Sequence, residues 1–350
     1  MEKKIEQIGL EINHINYKLL RLLNNLALLT KEMSDLKGGN NIEFFDPSSQ
    51  AEIFASLFEH NQGPLSNELI KDIFTSIFSA SLWHVGKKTD RDLLISTSYN
   101  NEFLNINEIF ETKFERPITI AGPCSIEKTD YLDDVGKLLS NNQIKFIRGG
   151  AFKPRTSPYD FQGLGETGLI ILNEIGKKYN LFTVTEVVDT RDVEITAKYV
   201  DIIQIGARNM YNYELLKEVG QTKYPVLLKR GLSATINEWM LAAEYIALQG
   251  NRKIILCERG IRTYETKTRN TLDISSIPII KMETSLPIIV DLSHSLGRKD
   301  IIKPLAKAAL AAGADGLMIE VHPYPELALS DGKQQLDFDE FLSLMKFIEW

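Results

Sequence analysis

Four side chains far apart in the chain, Cys124, His294, Glu320 and Asp331, have the chemistry of a transition-metal site. A soft thiolate, an imidazole and two carboxylates suit a divalent metal cation of the Mn, Fe, Co or Zn class, and the thiolate argues against magnesium. A second set is cationic. Residues 148–163 carry Arg148, Lys153 and Arg155 beside the hydroxyls of Thr156 and Ser157. Glycines and prolines, Pro154 among them, shape this loop, and Phe152, Tyr159 and Phe161 set it apart from a solvated basic turn. It reads as a preorganised pocket for phosphorylated groups, with Arg giving bidentate contacts and Lys a point charge. Arg208, Lys229 and Arg259 extend the set. With Arg148 and Lys153 they make five cations that would repel one another at one site unless highly anionic ligands neutralised them.

The elements that must position these residues follow a rhythm. From Pro117 onward, apolar β-branched runs alternate with amphipathic helical segments. The runs are 118–122, 144–148, 182–187, 202–206, 226–229, 254–257, 287–290 and 316–320. Eight such units fit a (β/α)8 TIM barrel. A doubly wound open sheet has a similar rhythm but gathers function at one switch point. Here reactive residues stand at the C-terminal end of nearly every run: Cys124, Arg148, Glu186, Arg208, Lys229, Arg259, His294 and Glu320 in chain order. One face of a barrel collects such a ring, so the barrel is the expected fold. Cys257 reads as core. His322 reads either as orienting a ligand or as an ordinary loop residue.

Ahead of the barrel, Ile5, Ile8, Ile12, Ile15, Leu19, Leu22, Leu26, Leu29, Met33 and Leu36 recur at three- and four-residue spacing. That is the seam of a long helix packed on other helices. Gly38 and Gly39 end it. Asp46-Pro47 starts a second helix, Asn61-Gln62-Gly63-Pro64 breaks it, and Ser66 caps a third. The expected organisation is a small all-α three-helix domain over residues 1–86, a polar linker over 87–116 and the barrel over 117–350.

With these motifs assembled, residues 118 to about 336 resemble the type I family of 3-deoxy-D-arabino-heptulosonate-7-phosphate (DAHP) synthases, in the beta subgroup fused to chorismate mutase-like domains. The resemblance rests on Ala121-Gly122-Pro123-Cys124-Ser125, Arg148 to Gly163, Ile205 to Met210, Leu228-Lys229-Arg230-Gly231, Cys257-Glu258-Arg259-Gly260, Ser293-His294 and Ser330-Asp331-Gly332. Leu292 departs from it, since the family usually has proline there. The resemblance implies condensation of phosphoenolpyruvate with erythrose 4-phosphate, the first step of the shikimate pathway. It implies metal ligation by Cys124, His294, Glu320 and Asp331. Phosphoenolpyruvate would be held by Arg148, Lys153, Arg208, Lys229 and Arg259, and erythrose 4-phosphate by Lys153, Pro154, Arg155 and Thr156. Lys153 would protonate the new alkoxide, and Glu186 or a metal-bound water would serve as base. The related 3-deoxy-D-manno-octulosonate-8-phosphate synthases are disfavoured by Lys153-Pro154-Arg155-Thr156, where that family is more like Lys-Ala-Asn-Arg.

Residues 1 to about 86 resemble the all-helical chorismate mutase domain, through Asp46-Pro47, Asn61 to Ser66, Ile73-Phe74 and Ser79-Ala80-Ser81. Such domains are intertwined dimers that clamp the carboxylates of chorismate with cations. Here the family's first-helix arginines fall on Gly9 and Leu26, its Arg-Glu pair on Ser49-Gln50 and its glutamine on Val85, while Lys37 and Asp46 survive. Buried carboxylates without cations are costly. The expectation is therefore a mutase-silent domain used for dimerisation or for binding chorismate or prephenate as effector, in a homodimer or homotetramer; a bifunctional synthase and mutase is the alternative.

Composition narrows the partners. A net charge of −7 over 350 residues disfavours nucleic acid and anionic membrane. Two cysteines fit a reducing compartment, and no signal core or membrane-length apolar run is visible, so a cytoplasmic location is expected.

Overall fold

The computed structural model describes residues 2–36, 47–84, 93–97, 103–155 and 157–348. The chain divides into two compact units, Met1–Leu93 and Leu94–Trp350.

The first unit is built from α1 (Glu2–Leu36), α2 (Pro47–His60) and α3 (Asn67–His84), with α3 packed on both others. Its small core is aromatic: Phe54 stacks on Phe58 at 6.0 Å, and Phe78 meets Phe54 and Phe74 at 5.9 Å each. With 35 residues α1 is roughly 50 Å long, far longer than the helices beside it. Its seam stays open: Ile5, Ile8, Ile12, Ile15, Leu19, Leu22, Leu26, Leu29 and Met33 are 37 to 64% exposed. Lys37, Asp46 and Val85 lie outside the described residues.

In the second unit each apolar run forms a strand: β1 (Ile118–Gly122), β2 (Phe146–Arg148), β3 (Phe182–Val187), β4 (Ile202–Ile205), β5 (Val226–Lys229), β6 (Ile254–Glu258), β7 (Ile288–Asp291) and β8 (Gly316–Glu320). All pair in parallel in sequence order, and β8 closes on β1. This is the expected (β/α)8 barrel. The strands read as continuous apolar runs because barrel interior and outer helices cover both faces. Inward residues Ile120, Phe146, Val184, Ile202, Leu227, Ile255, Cys257, Ile289 and Met318 form one buried cluster. Cys257 is therefore core.

The described part of the 87–116 stretch is packed structure. The short helix α4 (Ile106–Ile109) is held by a reciprocal capping box between Asn105 and Glu108. It lays Ile106, Ile109 and Phe110 against the strand starts, with Phe110 centred 4.9 Å from both Phe146 and Phe182. The N-terminal end of the barrel is thereby plugged. Upstream, the backbone N–H groups of Leu94 and Ile95 donate to the Glu244 carboxylate at 2.9 and 3.3 Å, and Ser96 bridges Thr284. Chemistry is left to the C-terminal face.

Candidate active site

Cys124 lies two residues past β1, His294 on the short helix Leu292–Leu296 after β7, Glu320 at the end of β8, and Asp331 in the loop beyond it. One ligand atom from each lies within 4.8 Å of all the others. The Cys124 Sγ stands 3.4 Å from Asp331 Oδ2, and His294 Nε2 stands 3.5 Å from Glu320 Oε1 and 3.6 Å from Asp331 Oδ2. Donor atoms about 2.0–2.3 Å from one centre stand about 3.3–3.8 Å apart in a tetrahedron. Three pairs fall in that range and all four donors lie within 4.8 Å, so the set suits a divalent cation in chemistry and converges on one place.

Electrostatics agree with that fit. Burial and the neighbouring Glu320 push the Cys124 thiol up to about 12, so it keeps its proton until a cation displaces it. Burial lowers His294 and keeps its imidazole neutral, as a ligand must be. Burial works against charge on the two carboxylates, but their neighbours prevail. The Arg269 guanidinium holds Asp331 at about 2, while that of Arg148 lowers Glu320.

The expected cations have different settings. Arg148 is buried and donates to Glu320 Oε1 at 2.8 Å. Lys229 is buried and meets Asp291 Oδ2 at 2.5 Å. The sequence reading left neutralisation of the ring to ligands; the structure gives two of its members carboxylates of the protein. Lys153 donates to the Cys124 carbonyl at 2.9 Å, and so reaches the segment that carries the thiol. Arg155 donates to the Phe161 carbonyl at 3.0 Å and to the Ser330 hydroxyl, next to Asp331. Arg259 is buried after β6, within electrostatic reach of Asp291 and Arg269. Arg208 is exposed on the turn after β4. Glu186 accepts from Gln204 at 3.4 Å, and its carboxylate fills the space that a Cβ at Gly206 would enter. Pro154 is half-buried in the same loop as Lys153 and Arg155, and Thr156 lies outside the described residues.

Three buried groups escaped the sequence reading. Asp291 binds His294 through both its backbone N–H and its Nδ1, each at 2.9 Å. Gln334 donates to Glu320 Oε2 at 2.6 Å, and Gln335 accepts from the Cys124 N–H at 3.0 Å. Asp291 had a usable signal, its place at a strand end three residues before His294. Neutral glutamines in a loop had none. A cavity of about 560 Å³ opens beside Asp331, lined among others by Lys267, Arg269, Arg298 and Lys333.

Residues 95–349 match the model of the DAHP synthetase I family, and residues 10–84 match that of chorismate mutase type II. Phospho-2-dehydro-3-deoxyheptonate aldolase of Thermotoga maritima is 58% identical over 227 residues, 65% of this chain and 67% of its own. A 2-dehydro-3-deoxyphosphooctonate aldolase of Syntrophobacter fumaroxidans is more distant, 31% identical over 66% of this chain and 85% of its own. Among solved structures, the Thermotoga maritima DAHP synthase superposes with TM-score 0.69 at 52% identity, over 73% of this chain and 75% of that one. A truncated form from the same organism gives 0.66 at 49% identity, over 72% and 93%.

Proposed function

The chain belongs to the DAHP synthetase I family, and from the site on its barrel we infer that it condenses phosphoenolpyruvate with erythrose 4-phosphate to give DAHP and phosphate. One observation carries the reading: cations and metal-type ligands form a single site, with Arg148 bonded to Glu320 and Lys153 to the Cys124 carbonyl. The phosphooctonate aldolases stand further off, at 31% identity against 58%.

When bound by Cys124, His294, Glu320 and Asp331, a divalent cation supplies Lewis acidity toward the aldehyde oxygen of the acceptor. The remaining work is done by side chains. Arg148, Lys153, Arg208, Lys229 and Arg259 bind the phosphate and carboxylate of phosphoenolpyruvate and orient C3 toward the aldehyde. Arg155, with Pro154 and Thr156, takes the phosphate of erythrose 4-phosphate; its bond to Ser330 aims it beside Asp331. Lys153 delivers a proton to the oxygen that becomes the new hydroxyl. Glu186 holds the water that adds at C2, after which phosphate leaves by C–O cleavage.

The helical unit serves assembly and control. Gly9 and Leu26 put no charge on α1 where a mutase site needs cations, so the unit turns over no chorismate. It binds chorismate or prephenate as effector and joins barrels into a homodimer or homotetramer through the open seam of α1. Cytoplasmic residence accompanies this reading, since both cysteines are free thiols and both substrates are phosphorylated. No helix among the described residues is long and apolar enough to cross a membrane.

The test is phosphate release by full-length protein, stripped of metal and then reloaded. Release is expected only with metal and both substrates together, and not with arabinose 5-phosphate as acceptor. A reloaded enzyme that releases no phosphate from the pair would sink the assignment.

A further inference from the structure

Glu320 and Asp331 lie eleven residues apart, on the end of β8 and in the loop beyond it. Cys124 comes from the other end of the barrel sequence. Something must fix the loop so that one cation can meet all of them. Gln334 and Gln335, 5% and 0% exposed, are placed to do so.

Gln334 spends both ends of its amide. Its Nε2 donates to Glu320 Oε2 at 2.6 Å, and its Oε1 accepts from Arg269 Nη1 at 2.7 Å. Arginine can only donate, so the amide oxygen must face Arg269 and the NH2 must face Glu320. The same Arg269 nitrogen lies 3.2 Å from Asp331 Oδ2. One amide and one guanidinium therefore link the two carboxylate ligands. The Glu320 carboxylate is also divided: Oε2 is taken by Gln334, while Oε1, which accepts from Arg148 at 2.8 Å, is the oxygen turned toward His294 Nε2 at 3.5 Å.

Gln335 performs the matching task for the thiol. Its Oε1 accepts from the Cys124 N–H at 3.0 Å, and its Nε2 donates to the Ser330 carbonyl at 2.8 Å. Ser330 precedes Asp331, whose backbone sits in the left-handed region at φ 51°. The loop is pinned once more where the Leu336 N–H donates to the Glu320 carbonyl at 2.9 Å.

We propose that Gln334 and Gln335 are positioning residues of the metal centre: Gln334 makes Glu320 present one oxygen and ties it to Asp331, and Gln335 sets Cys124 against the Asp331 loop. The proposal rests on the metal-site part of the functional reading. Partners that orient metal ligands typically contribute about 10–100-fold to metal affinity.

The experiment titrates Co2+ into metal-stripped, full-length protein and follows affinity, the ligand-field bands and the thiolate-to-cobalt charge-transfer band. Wild type is compared with Gln334→Met, Gln334→Glu, Gln335→Met and Gln335→Glu, with thermal unfolding of each metal-free form alongside. Gln334→Glu keeps the acceptor for Arg269 but loses the donor to Glu320, and covers the case in which Gln334→Met does not fold. Weakening on the order of 10–100-fold, with altered ligand-field bands for the Gln334 variants and an altered charge-transfer band for the Gln335 variants, is expected at near-unchanged metal-free melting temperature. Wild-type affinity and spectra in folded variants would overturn the proposal. So would an affinity that falls only in step with metal-free stability. Failure of wild type to take up Co2+ would instead remove the metal reading itself.

Discussion

Asp291 and His294 are joined twice, Oδ1 accepting the backbone N–H and Oδ2 the ring Nδ1–H, each at 2.9 Å. An ionised carboxylate only accepts, so the ring proton sits on Nδ1 and the Nε2 lone pair faces Glu320 and Asp331. Oδ2 also receives Lys229 at 2.5 Å. Burial opposes charge on Asp291, but His294 and Lys229 hold its carboxyl well below the usual range. One carboxylate thus orients a metal-type ligand and neutralises Lys229, a cation of the proposed substrate site. Asp291→Asn should weaken Co2+ binding about 10–100-fold. It should also destabilise the metal-free protein by about 3–5 kcal/mol, because Lys229 is left buried without a counter-charge. Titration and denaturant unfolding measure the two effects separately. Unchanged affinity would deny Asp291 its orienting role.

The thiol gives a pH signature. Cys124, raised from 9.0 to about 12 by burial and Glu320, is protonated in the metal-free protein at neutral pH. Cation uptake by the thiolate must then release one proton, so affinity should rise about tenfold per pH unit while this thiol alone titrates. Calorimetric titration at pH near 7.5 in buffers of different ionisation heat should report the release, and Cys124→Ser should abolish it. The sign for stability is opposite. Between about pH 9 and 12 the unfolded thiol has lost its proton and the folded one has not, so the metal-free fold loses stability as pH rises through that window.

The barrel was legible because its strands are buried on both faces and its polar residues wait at their ends. The four metal-type ligands were legible only as a set: Cys124 alone reads better as a buried thiol and His294 alone equally well as an ordinary strand-end histidine, but a thiol, an imidazole and two carboxylates around one barrel mouth have few bland uses. The packing of α4 was not. Polar residues around Phe103, Ile106, Ile109 and Phe110 dilute the apolar signal, although Asn105 followed three residues later by Glu108 is a capping-box signature. Gln334 and Gln335 could not be found at all. Their meaning depends on Glu320 and on Cys124, the latter 211 residues away, and a neutral amide carries no chemistry until its partners are known.

Deleting residues 1–86 separates the two units functionally. The second unit begins at Leu94 and contains the strand, the loop and the helix of every site residue. DAHP formation should survive the deletion at substantial rate, while inhibition of the full chain by chorismate or prephenate should disappear. The full chain should leave chorismate unconverted. Conversion to prephenate at an enzymatic rate would mean that cations other than those lost at Gly9 and Leu26 complete a mutase site. Absence of inhibition by either metabolite would end the effector role.

The seam of α1 makes the last prediction. The nine seam residues from Ile5 to Met33 remain 37 to 64% exposed along a helix of 35 residues. Covering what is open on each contributes roughly 1 kcal/mol per residue. Two copies of the seam together exceed the roughly 4–15 kcal/mol cost of association, so a second copy of the chain is a sufficient partner. Ile12→Glu with Leu19→Glu places carboxylates in the middle of the seam, at positions half exposed in the protomer, so the folded protomer should tolerate them. Sedimentation should shift from an assembly toward the 39.7 kDa protomer, with helical content of the unit reduced as α1 loses its partner. The barrel site uses no residue of α1, so phosphate release should persist. An unchanged assembly would show that the barrels associate through other surfaces and that the seam is covered, if at all, by something else.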